Sequence, residues 1–185
     1  MKKYGYIALM FLCALFCASC SDDNETTYDE ALASFGDWKI ENDAAFQAVV
    51  ANPEFTEIKS PGNDGSIYIK VLKEGAGREP IYYTDSVKVY YTGKTIDGEV
   101  FDSSEPPYQE PIVWGVNNFV SGWTVALQNM HVGDRWEVWI PQELAYGYTG
   151  KVNQTTQAYD ILPFSTLHFE VQVEQIIRNG QSIEE

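Results

Sequence analysis

Apolar and polar positions alternate with a period of two in several stretches of the chain. Ile67, Ile69 and Val71 form one, ending at Gly75-Ala76-Gly77. Val87, Val89 and Tyr91 alternate with Ser86, Lys88 and Tyr90 in another. Trp136, Val138 and Ile140 form a third, stopped by Pro141, and Leu167, Phe169, Val171 and Val173 a fourth. Each predicts a strand with one buried face. Thr92-Gly93 is expected to end the second strand, and Asp97-Gly98 to turn it into a hairpin, since both residues tolerate positive φ. Val100-Phe101 resumes the pairing and Asp102-Ser103-Ser104 breaks it. From Phe119 the period changes. Val120, Trp123, Leu127 and Met130 fall at helical spacing, which predicts a short helix laying an apolar stripe on the sheet, with Gly133 as its left-handed stop. The sum is an α+β arrangement: an antiparallel sheet of four to six strands wrapped on one short helix.

Before this core the pattern weakens. Asp37 to Asn52 is expected to be helical, with Phe46, Val49 and Val50 as its apolar patch, Asn42 or Asp43 as its cap and Asn52-Pro53 as its stop. Trp38 is positioned to pin it to the main domain. A segment of about 30 residues cannot form a core alone. It reads as an extension, and Ser60-Pro61-Gly62-Asn63-Asp64-Gly65 as the loop after it. Met1-Lys2-Lys3 and the apolar run Ile7 to Phe16 form a leader too short for a permanent span. It ends in Cys17-Ala18-Ser19-Cys20, which resembles a bacterial lipoprotein signal with Cys20 as the lipidated residue; an ordinary secretory leader is the alternative. The chain thus divides into a signal peptide (1–19), an acidic tether (20–30), a helical extension (31–60) and a main domain (61–180).

Charge narrows the partners. The formal net charge is −15, and loss of Lys2 and Lys3 with the leader takes it to −17. So acidic a chain does not follow nucleic-acid phosphates, and anionic headgroups repel it. Membrane attachment would come from acyl chains on Cys20. The acids after Cys20 resemble surface-export signals of some Bacteroidetes lipoproteins, and read equally as a solvated spacer. Cell-envelope placement follows, at the outer membrane or in the periplasm, with surface exposure as a further option.

Reactive constellations are missing. His131 and His168 stand apart and no cysteine pair outlasts the leader, so no metal set is legible. Ser121 lies in Val-Ser-Gly-Trp, not in a nucleophile elbow. No glycine loop for a phosphate is present, and no cofactor is called for. Glu143 with Asp102, or Glu110 with Asp160, could be drawn as acid pairs. With 27 acids against 12 bases, solvated carboxylates are the default. What remains is a concentration of aromatic residues. Taken singly, each is an ordinary core or turn residue.

Five ordered blocks change that reading: Tyr91-Thr92-Gly93; Gly98 with Phe101-Asp102-Ser103-Ser104; Gly122-Trp123; Ala145-Tyr146-Gly147; and Ser165-Thr166-Leu167 leading to Phe169-Glu170-Val171. Together they resemble the signature blocks of FKBP-type peptidyl-prolyl isomerases, from about Ile67 to Ile177. The resemblance implies Trp123 as the floor under a prolyl ring, with Tyr91, Phe101 and Phe169 as walls. It implies ligand-backbone contacts at Phe119 and through the Val120 main-chain N–H, a Tyr146 hydroxyl for a ligand carbonyl, Asp102 at the rim and Ile161 on the flap side. Gly147 to Asp160 would be that flap, longer than the short form. Partners would be proline-containing polypeptides and macrolide inhibitors.

Such a site suits one reaction. Rotation about a peptidyl-prolyl bond faces a barrier of about 18–20 kcal/mol because twisting destroys amide resonance. No covalent bond breaks, so no nucleophile is needed. The twisted amide is less charge-separated than the planar one, so a dry apolar wall favours it. The competing readings are a non-catalytic peptide-binding chaperone module with this fold and a glycan-binding protein using Trp114, Trp139 and Tyr148. Departures from the family pattern are Glu110 at a pocket position, the bulk of Phe119, and Leu162-Pro163-Phe164 before the last strand. An acidic rim at Glu110 is expected to disfavour acidic peptides.

Overall fold

A computed structural model of the protein describes residues 27–62, 64–104 and 110–183. The leader, Cys20 and the first part of the tether lie outside them. Helix α1 spans Tyr28–Val50. The strands β1 (Thr56–Lys59), β2 (Ser66–Lys73), β3 (Ser86–Lys94), β4 (Val100–Ser103) and β5 (Ile112–Gly115) follow. Next come helix α2 (Ser121–Leu127) and β6 (Arg135–Ile140). The ribbon strands β7 (Lys151–Val152) and β8 (Tyr159–Ile161), the long β9 (Leu167–Arg178) and β10 (Gln181–Ser182) complete the chain.

The main sheet is antiparallel in the order β1-β2-β6-β9-β3-β4, with β5 sharing the outer edge of β3 and β10 folding back on β9. Its axis is β3 against β9, paired from Ser86↔Ile177 to Lys94↔His168. The alternation is realised as burial. Val87, Val89, Tyr91, Val138, Ile140, Phe169 and Val171 all face the core, and Leu127 and Met130 of the α2 segment meet them there. The expected antiparallel sheet on one short helix is therefore what forms.

Several local expectations are corrected. β3 runs on through Thr92-Gly93 to Lys94, and β4 through Asp102 to Ser103. A Cβ on Gly93 would come within 2.6 Å of Phe169 Cε1 and 2.7 Å of Phe101 Cζ. The glycine serves the crossing of two rings, not a chain reversal. Helix α2 ends at Leu127 with Gln128 as its cap; Gly133 has the positive φ expected but belongs to the turn entering β6. Val71 is exposed at the bulge in the β2–β6 register.

The extension differs most. α1 begins at Tyr28, inside the segment read as tether and well before Asp37. Its cap is Thr27, which exchanges hydrogen bonds with Glu30 in a capping box. Asn42 is not a cap but a fully buried residue in mid-helix. Its Nδ2 donates to Trp38 O at 2.8 Å, and its Oδ1 accepts the Thr166 N–H at 2.8 Å. Trp38 does pin the helix: its Nε1 donates to Ser165 Oγ at 3.0 Å. Rings complete the attachment, with Tyr28 edge-on to Phe164 and Tyr148, and Phe35 edge-on to Tyr159. At the far end of the sheet Arg178 donates to both oxygens of buried Asp85, at 2.9 and 2.8 Å.

Candidate functional site

The site grows from α2. Val120 precedes its first turn, and the Val120 carbonyl accepts the Trp123 N–H at 3.0 Å. Trp123 is then carried inward and left 4% exposed. The rings of Tyr91 and Phe169, from β3 and β9, lie near perpendicular to its ring at 5.5 Å and 5.1 Å between centroids. Phe101 stands edge-on to Phe169 at 5.6 Å. Phe119 lies flat against Trp123, 4.7 Å away and 6° from parallel. Edge-to-face pairs of this kind add specificity of orientation to the burial of apolar area.

These rings enclose an open cavity of about 340 Å³. Tyr91, Phe101, Asp102, Phe119, Val120, Trp123, Tyr146 and Phe169 all line it, so eight positions singled out from sequence share one concavity. Ile161 does not: it is 1% exposed and packed in the core, because β8 turns it inward under the ribbon. Glu110 is exposed and also outside the lining. Ile112, Trp114, Asn118 and Lys151 line the cavity and were not proposed as pocket residues from sequence. For two of them a signal existed. Ile112 and Trp114 are two apart, hence on one face of a strand; β5 was too short to register as one.

The polar groups are few and ordered. The Tyr91 hydroxyl donates to Asp102 Oδ2 at 2.7 Å. Burial, then this bond to a carboxylate, pushes the Tyr91 hydroxyl well above the usual phenol range. Burial, followed by the nearby Asp102 charge, also raises Tyr146. Both keep their protons at neutral pH and are hydrogen-bond donors. Ser104 fixes Tyr91 from behind: its Oγ accepts the Tyr91 N–H at 3.0 Å and its N–H donates to Tyr91 O at 2.8 Å. The Asp-Ser-Ser run is thus a clamp that aims the tyrosine.

Gly147 to Asp160, read as a flap, is a 3₁₀ turn (Gly147–Thr149) followed by the β7–β8 ribbon. The aromatics considered for a glycan, of which Trp139 is only half-exposed, each rest on a different neighbour. Trp139 stacks on His168 at 4.5 Å, Tyr148 meets Tyr28 of α1, and Trp114 leans on Phe119 at the cavity. Among the described residues no helix is long and apolar enough to cross a membrane.

A family model described as FKBP-type peptidyl-prolyl cis-trans isomerase matches residues 77–174. The FKBP-type 22 kDa peptidyl-prolyl cis-trans isomerase of Escherichia coli is 46% identical over 114 residues, covering 62% of this chain and 52% of that protein. The outer membrane protein MIP of Legionella longbeachae is 38% identical over 109 residues, covering 59% and 44%. This chain spans about half the length of these relatives. A crystal structure of a peptidyl-prolyl cis-trans isomerase from Pseudomonas syringae superposes with a TM-score of 0.59 at 29% identity, covering 83% of this chain and 98% of that one.

Proposed function

The chain belongs to the FKBP-type peptidyl-prolyl cis-trans isomerase family, and from that premise we propose that it catalyses rotation about X–Pro bonds in polypeptides outside the cytoplasm. The observation that carries the proposal is the open bowl of rings seated on Trp123. A prolyl ring placed on Trp123 would be flanked by Tyr91, Phe101 and Phe169. Water is kept from the amide, which weakens the planar, charge-separated ground state relative to the twisted one. Tyr146, still protonated, donates to a substrate carbonyl, and the Val120 N–H donates to a second. Asp102, held by the Tyr91 hydroxyl, stands at the rim, where it positions the amide. No proton changes hands. Macrolide inhibitors would compete for the same floor.

Slow X–Pro isomerisation takes tens of seconds, so a catalyst beside exported chains has a task. We propose that the protein reaches them anchored through a lipidated Cys20, in keeping with the leader pattern and with the outer-membrane name of the Legionella relative. Labelling with a radioactive fatty acid, lost in Cys20→Ala, tests the anchor.

The activity test is direct: isomerisation of a Leu-Pro tetrapeptide with wild type and Asp102→Leu. Wild type is expected to accelerate the reaction. The variant is expected to lose roughly tenfold or more in kcat/KM, the scale of a charged hydrogen-bonding group removed. A wild-type rate equal to the uncatalysed one, with aggregation still suppressed, would establish the chaperone-module reading instead.

A further inference from the structure

We infer that Lys151 is a specificity residue that selects proline segments carrying an acidic side chain next to the proline. The inference rests on the isomerase reading of the pocket. Among the described residues lining the cavity, Asp102 and Lys151 alone carry charge. Asp102 is engaged by the Tyr91 hydroxyl at 2.7 Å. Lys151 is exposed and makes no ion pair with any described residue. In a chain with 27 acids and 12 bases, a free ammonium at the mouth of an apolar bowl is an exception to the surrounding field.

Its position is set by the backbone. Gly150, at φ 65°, donates its N–H to Tyr146 O at 3.2 Å. A Cβ there would stand 2.5 Å from Ile161 O, so this glycine lets the chain press against β8. The next residue, Lys151, is then locked into the ribbon opposite Ile161. The nearby Asp160 accepts a hydrogen bond from Asn153 Nδ2 at 3.2 Å. The lysine stem therefore starts from a fixed strand, one short turn past Tyr146, and its head is free for a substrate carboxylate. Glu110, expected to make the rim acidic, lies outside the described lining, so among the described lining residues only Asp102 opposes Lys151 in charge, and Asp102 is already held by the Tyr91 hydroxyl.

The test compares kcat/KM, by NMR exchange spectroscopy, for peptides differing only at the residue before or after proline: Glu, Leu or Lys. With wild type at low salt, the Glu peptide of at least one series is expected to exceed its Lys counterpart roughly two- to fivefold, the range of a partly exposed ion pair. Lys151→Arg should keep that ratio, Lys151→Met bring it near one, and Lys151→Glu invert it. About 1 M salt should flatten it. A wild-type ratio at or below one in both series, or a ratio unmoved in Lys151→Glu, overturns the inference. If the Leu peptides gain no rate at all, the isomerase reading fails separately. Dissociation constants of the same peptides, read from tryptophan quenching, then decide the charge preference by the same ratio.

Discussion

The floor of the pocket and its flap are held by different means. Trp123, Tyr91 and Phe169 rest on the β3–β9 axis, and each is fastened by neighbours close in the fold and by one continuous apolar core. The flap has little apolar mass of its own. It is a two-stranded ribbon, which alone is marginally stable in water. Its support comes from α1: Phe35 against Tyr159, Tyr28 against Tyr148 and Phe164, and buried Asn42 holding Thr166 just after the ribbon. Even the step between flap and last strand is strained. Phe164 sits at φ 64°, a rare conformation for a bulky side chain, while its N–H donates to Gly147 O at 2.8 Å and its ring is fully buried. The extension is thus the outer wall of the flap, and the flap side of the cavity depends on a helix far from it in sequence.

The sharpest way to break this contrast is at the floor. Trp123→Ala should cost about 3–5 kcal/mol, the usual range for a large buried ring truncated to a methyl. A shift in the urea midpoint measures it, and isomerase activity should vanish with the floor. A loss below about 1 kcal/mol would mean that the ring is a lid over the core and not part of it.

The second test separates attachment from mere proximity. In Asn42→Ala the Thr166 N–H keeps its burial and loses its acceptor. That should cost about 1–3 kcal/mol, in a single transition shared by α1 and the sheet. Amide exchange should rise at Thr166 and through the ribbon and stay slow in β3. Two separate transitions, or a change of only a few tenths of a kcal/mol, would show α1 to be an independent appendage.

The same division governs what the sequence disclosed. The floor was legible because its signals are local and periodic: alternation placed Tyr91 and Phe169 inward, and helical spacing placed Trp123 beside Leu127. The flap and α1 were not, because their signals are relational. Nothing near Asn42 says that its amide caps a strand 124 residues away, and an isolated Asn at mid-helix reads as a cap. The capping box Thr27-x-x-Glu30 was present, yet lay inside an acid-rich run whose composition argued for solvent. Ile161 failed for a related reason. Its register depends on the turn geometry of a ribbon whose pairing cannot be counted from apolar period. Lys151 carried no pattern at all; only the fold sets a lone lysine at the mouth of a bowl.

The finest comparison sets one hydroxyl from each region. Tyr91 belongs to the floor and Tyr146 opens the flap, and both are raised above the ordinary value of 10.0, chiefly by burial. In the unfolded chain these phenols release protons near that value, while in the folded protein they hold them. Above pH 10 the unfolded state therefore binds fewer protons, so stability is fully present below that point and falls as pH rises past it. Tyr91 also donates to Asp102, whereas Tyr146 senses Asp102 through charge alone. Urea midpoints between about pH 8 and 11 should accordingly show the alkaline decline shallower in Tyr91→Phe than in wild type, and only slightly shallower in Tyr146→Phe. Taking each variant's decline as a difference from wild type cancels the lysines that titrate in the same range. A larger relief in Tyr146→Phe than in Tyr91→Phe would place the more tightly held proton on the flap and reverse the order of rigidity argued between the two regions.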